Sequence, residues 1–247
     1  MILRPLVLRG GFPAQPIPAW NAIFPTQRQA ADAYLLVTQD DHAQLAGEIA
    51  AAMRRRWLPE LTAEVVDAIR LHDRGWQPLD ERLIAEARNG ARPPSFLDMA
   101  VPEFLVAWAE SIEPAAHASA IGGVIVSMHF SRLANHRLRT IADTPEDTAR
   151  LRHFLSEEEK RQASHNCEQA QWFTDVLQLC DLISLYLCCG AQEPVELPAV
   201  RGRLELRRAG EMFTFQPPIL AEPLKFALPA TSWPVTPKGS ILRIELG

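Results

Sequence analysis

The placement of proline confines long helices to the middle of this 247-residue chain. Of its 20 prolines, 13 lie in residues 1–25 and 194–237, and a proline in a helix interior removes a hydrogen bond and kinks or breaks the helix. Between these segments apolar residues recur at helical spacing, whereas the C-terminal segment alternates apolar and polar residues as strands do. The sequence predicts a mainly α protein with a helical core over 31–190 and β-rich arms over 1–30 and 191–247.

We expect a single domain over residues 1–247, in which the two arms form one small sheet that packs on the helical core. A chain of this length buries about 70–75% of its unfolded surface and needs no disulfides. Its four cysteines show no C-x-x-C spacing, which favours buried thiols in a reducing, cytoplasmic compartment. No run of about 18 apolar residues is present, and Pro5 and Arg9 interrupt the N-terminal apolar run, so neither a membrane span nor a signal peptide is predicted.

The formal net charge of -5 argues against a general nucleic-acid binder, because such proteins need a basic surface to neutralise phosphates. The arginines at 54–56 and within 201–208 are expected to be solvated surface charge. The β-rich tail carries no recognisable chemistry and could cover one side of the helices or form the edge of a homodimer. The expected partner is therefore a small molecule, with no nucleic acid and no membrane.

Four ionisable residues lie on the apolar faces of four different predicted helices. His42, His72, His129 and Asp181 each have apolar residues three, four or seven positions away, which are neighbours on a helix. Burying such groups without partners costs several kcal/mol each. A metal ion would satisfy them together, since imidazole nitrogen and carboxylate oxygen bind zinc, iron and manganese. Hydrogen-bonded core residues are the alternative interpretation.

The order of these residues resembles the HD superfamily of metal-dependent phosphohydrolases. In that superfamily one histidine, an adjacent His–Asp pair and a distant aspartate lie on helices of an all-α core, as His42, His72–Asp73 and Asp181 do in this sequence. The resemblance implies an HD-like helical core in which these four residues bind a divalent transition metal (Zn, Mn, Fe or Ni). The strings QDDHAQLAGEIA, IRLHDRGWQPLD, SMHFSRLA and LQLCDLISLYLC also look like an uncharacterised bacterial family, which implies no established activity.

The HD resemblance also allows a second metal ion, bound by histidines between the His–Asp pair and the last aspartate. His129 fits this position best, because its helix face is apolar. His117 is expected on the same helix, about 120° around from His129. His153 and His165 are further candidates that are more typical of exposed residues, and His136 is expected to be structural or exposed.

The resemblance fails at the catalytic acid. Many single-metal members place an acid within one turn of the His–Asp pair, whereas this chain has none before Asp80. Asp80 and Asp41 are therefore the candidates for a general base. Arg74 could bind phosphate or carboxylate through two parallel hydrogen bonds, and Lys160 or Arg161 could bind an anion. For each of them a turn, a helix start or an exposed charge is the alternative.

Together these residues predict a metal-dependent hydrolase that acts on a small, anionic, nucleotide-like phosphorylated substrate. An HD-type di-iron oxygenase remains an alternative, because additional histidines are present. A non-catalytic, metal-stabilised module that binds a ligand is the third interpretation, favoured by the missing acid near the His–Asp pair.

Overall fold

The structure is a computed structural model that describes residues 1–7, 15–54, 61–163, 168–198, 202–210, 212–235 and 239–247. Of the described residues, 58% are helical, and eight strands form one mixed sheet. The prediction of a mainly α protein is therefore confirmed. His165 and the arginines at 55, 56 and 201 lie outside the described residues.

The α-helices of the described residues are α1 (Ala19–Arg28), α2 (Gln39–Ala52), α3 (Ala63–Leu71), α4 (Gln77–Arg88), α5 (Val101–Ala118), α6 (Ala120–Thr140), α7 (Pro145–Gln162) and α8 (Glu168–Cys189). Short 3-10 helices cover Arg74–Trp76 and Phe96–Asp98. Helix α8 packs against α1, α2, α3 and α6. By length and composition it could cross a membrane, with a mean hydropathy of 1.3, but 83% of its apolar window is buried, as in the core helix of a soluble protein.

Helix α1 lies in the segment that the sequence predicted to be irregular and β-rich, so that local prediction is wrong. The prolines hid its apolar repeat, because Pro18 directly precedes the helix and Pro25 lies inside it. Proline is tolerated at a helix start. The buried side chain of Gln27 then attaches α1 to the first strand, accepting from the Leu3 N–H at 2.9 Å and donating to the Leu3 carbonyl at 2.5 Å.

The boundary between α5 and α6 also differs from the prediction. Helix α5 continues through Pro114, and α6 begins only after Ser119, whose extended backbone ends one helix and whose hydroxyl accepts from the Gly122 N–H at 3.0 Å. The apolar repeat runs across this cap, which is why the sequence did not reveal it. His117 therefore lies on α5, and the prediction that it shares a helix with His129 is wrong.

The two ends of the chain pair in one sheet. Its strands are β1 (Ile2–Pro5), β2 (Ile17–Pro18), β3 (Tyr34–Val37), β4 (Val195–Leu197), β5 (Leu204–Ala209), β6 (Met212–Gln216), β7 (Leu224–Trp233) and β8 (Ser240–Leu246). Their order is β1-β3-β7-β8-β6-β5-β4-β2. Strand β3 pairs antiparallel with β7, where Tyr34 lies opposite Trp233, and β2 pairs parallel with β4. Strands β1 and β4 contact α8, and β7 contacts α2, so the sheet lies against the helices.

Four helices that contact one another bring the ionisable residues together. Helix α2 packs on α3 and α8, and α6 packs on α3 and α8. His42 lies in α2, His72 directly follows α3, and His129 and Asp181 lie in α6 and α8. The structure buries all four residues, as expected from their apolar helix faces.

Candidate metal centre

Four buried residues, His42, His72, Asp73 and Asp181, form a cluster of ionisable side chains. They lie at the ends of helices and in the middle of α8. Thr38 caps α2 by accepting from the Asp41 N–H at 3.0 Å, which places His42 in the first turn. His72 is the C-terminal cap of α3, and Asp73 leads into the 3-10 helix. Asp181 projects from the buried middle of α8. Three segments distant in sequence therefore supply the side chains.

The separations between the polar atoms suit a metal ion. His42 Nε2 lies 2.8 Å from Asp73 Oδ2, and His72 Nε2 lies 3.5 Å from Asp181 Oδ1 and 3.7 Å from Asp73 Oδ2. A tetrahedral ion with bonds of about 2.0–2.1 Å needs ligand atoms about 3.4 Å apart. One atom from each of His42, His72 and Asp181 lies within 4.8 Å of the others, so this buried group could hold a metal ion.

Hydrogen bonds at Nδ1 orient the imidazole rings of His42 and His72 so that Nε2 of each ring faces Asp73. The hydroxyl of Ser184 donates to the Asp181 carbonyl at 2.8 Å, so it accepts from His42 Nδ1–H at 2.9 Å. His72 Nδ1–H donates to the Ile69 carbonyl at 2.7 Å. Nε2 of His42 therefore faces Asp73, and Nε2 of His72 faces both Asp73 and Asp181. Such outer partners are typical of metal-binding histidines. Ser184 was missed from sequence, because a serine on a core helix carries no signal of its own.

The Nε2 atoms of His42 and His72 both face carboxylate oxygens. His72 Nε2 is buried and has no hydrogen-bond partner among the described residues. With Nδ1–H used by Ser184, neutral His42 has only a lone pair to offer at Nε2, yet this atom lies 2.8 Å from a carboxylate oxygen of Asp73. A proton or a metal cation must lie between such atoms to make the contact favourable. The donor set and its unpartnered nitrogen thus fit a bound cation.

The carboxylates control the protonation of the cluster. Burial alone would lower the pKa of His72, but the negative charge of Asp73 and the Asp181 carboxylate 3.5 Å away outweigh it and raise the pKa to about 9. Burial would raise the pKa of Asp181, but the neighbouring His72, whose Nε2 lies 3.5 Å from Oδ1, holds it below its usual value. Without a metal, the cluster therefore carries a proton on His72 at neutral pH, and a metal ion has to displace it.

We expect zinc to stabilise the protein more strongly as the pH rises from 6.5 to 9. Protonated His72, with its pKa raised from 6.5 to about 9, stabilises the metal-free fold below pH 6.5, and this contribution is lost as the pH rises through 9. Over the same interval zinc has fewer protons to displace. Thermal unfolding with chelator and with a fixed zinc concentration measures both trends. A zinc-induced rise in Tm that stays constant over this range would contradict this assignment.

His129 borders the cluster. Its Nε2 lies 3.9 Å from Asp181 Oδ2, and its ring centroid lies 5.5 Å from that of His72. Burial lowers the pKa of His129 to about 4, so the ring is neutral at pH 7. Unlike the rings of His42 and His72, it has no partner at Nδ1 among the described residues. His129 therefore lies next to the three-residue group but is less firmly oriented.

Arg74 and Asp40 lie beside the cluster. Arg74 directly follows Asp73 and donates from Nη1 to Asp40 Oδ2 at 2.7 Å. Asp40 lies two residues before His42 and is buried, which raises its pKa although the positive charge of Arg74 opposes the shift. Asp40 is not distinguished by the sequence alone, because an acidic residue in the first turn of a helix is usually explained by the helix dipole.

The proposed general bases are engaged in structural contacts. Asp80 is buried, accepts from the Gln39 N–H at 2.6 Å and lies 2.9 Å from the α-amino nitrogen of Met1. Asp41 accepts from the Thr38 hydroxyl at 2.5 Å in the cap of α2. Among the hydrogen bonds and ion pairs of the described residues, neither carboxylate contacts a histidine of the cluster. The structure therefore does not bring Asp80 or Asp41 into the cluster.

The basic residues of α7 and the remaining histidines also lie elsewhere. Lys160 is exposed and pairs with Glu157 at 2.6 Å, and Arg161 pairs with Glu113 at 2.6 Å. Neither basic side chain is paired with the cluster. The histidines outside it that the structure describes are exposed: His117, His136 and His153.

A family model described as "Protein of unknown function (DUF3891)" matches residues 26–236. The matched range contains every member of the cluster and most of the sheet. No curated protein and no solved structure matches the chain.

Proposed function

The chain belongs to the family DUF3891, whose function is unknown, and we propose that it is a metal-dependent hydrolase of HD type acting on a small phosphorylated substrate. The observation that carries this proposal is the buried group of His42, His72 and Asp181, beside which the Asp73 carboxylate lies 2.8 Å from His42 Nε2 and 3.7 Å from His72 Nε2. Their order along helices is the order that the HD resemblance requires, and this supports the proposal as an analogy.

Under this proposal His42, His72, Asp73 and Asp181 hold the first metal ion. Two nitrogen and two oxygen donors suit zinc, manganese, iron or nickel. His129 would assist a second ion through its Nε2, on the side of Asp181 Oδ2. A bound divalent metal supplies a coordinated water of lowered pKa and polarises a phosphoryl oxygen.

The residues of the chain determine how a substrate reaches the centre. The side chains of Asp73 and Asp181 are 9% and 10% exposed, whereas those of His42 and His72 are fully buried. The substrate therefore approaches over the carboxylates, and the buried side excludes water. Arg74, which directly follows Asp73 and is 44% exposed, would bind the anionic group. Asp80 and Lys160 have no part in this proposal, because their side chains are engaged elsewhere.

The test is phosphate release by full-length protein purified without chelators. Metal content is measured first, and the protein is then incubated with p-nitrophenyl phosphate and with nucleoside mono- and triphosphates. We expect metal-dependent release of phosphate or nitrophenol that is lost in Asp181→Asn. Asp175→Asn is the matched control, because Asp175 lies on the same helix, is half exposed and pairs with Arg132.

Two results would replace this proposal by its alternatives. Metal-loaded protein that hydrolyses none of these esters would favour the non-catalytic ligand-binding module. Two irons per chain with an oxygen-dependent change in the absorption spectrum would favour the di-iron oxygenase.

A further inference from the structure

An ion pair lies beside the candidate metal centre. Arg74 Nη1 and Asp40 Oδ2 are 2.7 Å apart, and their side chains are 44% and 13% exposed. Arg74 follows the ligand Asp73 in sequence, and Asp40 lies close enough to Asp73 for their charges to interact. The pair thus joins the start of α2 to the 3-10 helix, next to the Asp73 carboxylate.

Most of the hydrogen-bonding capacity of Arg74 is unused. A guanidinium carries five N–H donors in one plane, and the described part of the chain supplies Arg74 with a single partner, the Asp40 oxygen at Nη1. The Nη2–Nε edge stays free, and this is an edge that can bind two oxygens of a phosphate. Because the guanidinium is planar and its side chain is anchored at the backbone, the contact at Nη1 restricts the directions that this free edge can take.

Asp40 is well placed to hold Arg74. It lies in the first turn of the rigid helix α2, two residues before His42, and its carboxylate is buried. Its second oxygen, Oδ1, is buried without a hydrogen-bond partner among the described residues. A buried carboxylate with one unsatisfied oxygen is costly unless its charge is compensated, and Arg74 is the cation paired with it.

We propose that Asp40 is a positioning residue that holds Arg74 beside the metal centre, so that the free edge of its guanidinium binds the phosphoryl group of the substrate. This inference rests on the proposed function, because it assigns Arg74 to the same substrate. Because Arg74 is already oriented before the substrate binds, it loses less conformational freedom on binding than an unrestrained arginine would.

The test is a double-mutant cycle with inorganic phosphate as the probe. Full-length protein, with and without saturating zinc, is titrated with phosphate in the wild-type form and as Asp40→Ala, Arg74→Ala and the double variant. We expect each single substitution to weaken phosphate binding about tenfold. The double variant should bind no more weakly than Arg74→Ala, because Asp40 acts through Arg74. Asp40→Asn, which keeps an oxygen acceptor, should restore part of the affinity.

The direction of the change in phosphate affinity distinguishes a positioning role of Asp40 from a purely electrostatic one. Removing a negative charge next to an anion site should strengthen phosphate binding if Asp40 acts only by its charge. Unchanged or tighter binding by Asp40→Ala would therefore overturn the inference, as would additive effects in the double variant. The matched control is the exposed pair Arg82–Glu103, whose atoms are 2.6 Å apart. Arg82→Ala and Glu103→Ala should leave phosphate affinity unchanged.

The two proposals fail in different ways. Absence of phosphate release, together with phosphate binding that shows the expected coupling, would overturn the hydrolase proposal and leave the role of Asp40 intact. Wild-type protein that binds no phosphate, with or without zinc, would overturn the role of Asp40 and Arg74 whatever the ester assay shows. Zinc content and Tm are measured for every variant, so that loss of the fold is recognised.

Discussion

Replacement of His72 by alanine should lower the zinc affinity of the protein by more than about 100-fold, the upper end of what loss of an outer partner costs. The substitution removes the nitrogen that lies between Asp73 and Asp181, at 3.7 Å and 3.5 Å from their oxygens. It also leaves two buried carboxylates without the imidazolium that balances them in the metal-free state. Removing one partner of a buried ion pair costs about 3–5 kcal/mol, so the metal-free variant should also unfold at a lower temperature.

Titration calorimetry with zinc and elemental analysis after dialysis measure the first effect, and thermal unfolding measures the second. Ser184→Ala is a graded comparison. It removes only the hydroxyl that orients His42 and should cost roughly 10–100-fold in zinc affinity. His153→Ala, at an exposed position of α7, should change neither quantity. If His72→Ala binds zinc as tightly as the wild-type protein, the cluster is not the metal centre.

Replacement of Gly75 by alanine should destabilise the protein by about 3 kcal/mol or more, at the upper end of overpacking costs. A Cβ at this position would lie 2.2 Å from the Ala107 carbonyl oxygen and 2.5 Å from the Ser111 nitrogen. Both are backbone atoms of α5, which cannot move aside as a side chain can. The Gly75 N–H also donates to the Ser111 hydroxyl at 2.9 Å. The 3-10 helix that carries Arg74 therefore has to separate from α5.

For a chain of this size the expected fall in Tm is about 6–12 °C, which calorimetry or circular dichroism detects readily. Gly239→Ala serves as the control, because a Cβ there meets no atom within 4 Å. A Gly75→Ala protein with unchanged Tm would show that the 3-10 helix is not clamped against α5. Because Arg74 is the neighbour of Gly75, phosphate binding should weaken in parallel with stability.

The sequence was sufficient for the residues whose evidence is local. His42, His72 and Asp181 have apolar neighbours at helical spacing, and the structure buries each of them. A repeat of 3.6 residues shows which face of a helix is buried, so it selects polar residues that need partners. The mainly α class was likewise readable from local patterns.

Local patterns failed where two signals overlapped. The prolines around Ala19–Arg28 concealed a helix, because the apolar repeat there is short and interrupted. The cap at Ser119 lies inside a continuous apolar stretch, and so His117 was assigned to the wrong helix. Asp40 and Ser184 carry no distinctive sequence signal, since acids at helix starts and serines on core helices are common.

By itself the sequence determined which residues face the core and in what order they follow along the chain. Only the tertiary structure decided which of them meet: Ser184 orients His42 from 142 positions away, and Asp40 holds Arg74 from 34 positions away. The physical reason is the distance along the chain over which each interaction acts. Helical periodicity is set by neighbours within one or two turns, whereas these contacts depend on how α2, α3 and α8 pack against one another. That packing also placed the Nε2 atoms of His42 and His72 against the same oxygen of Asp73, which no spacing in the chain specifies.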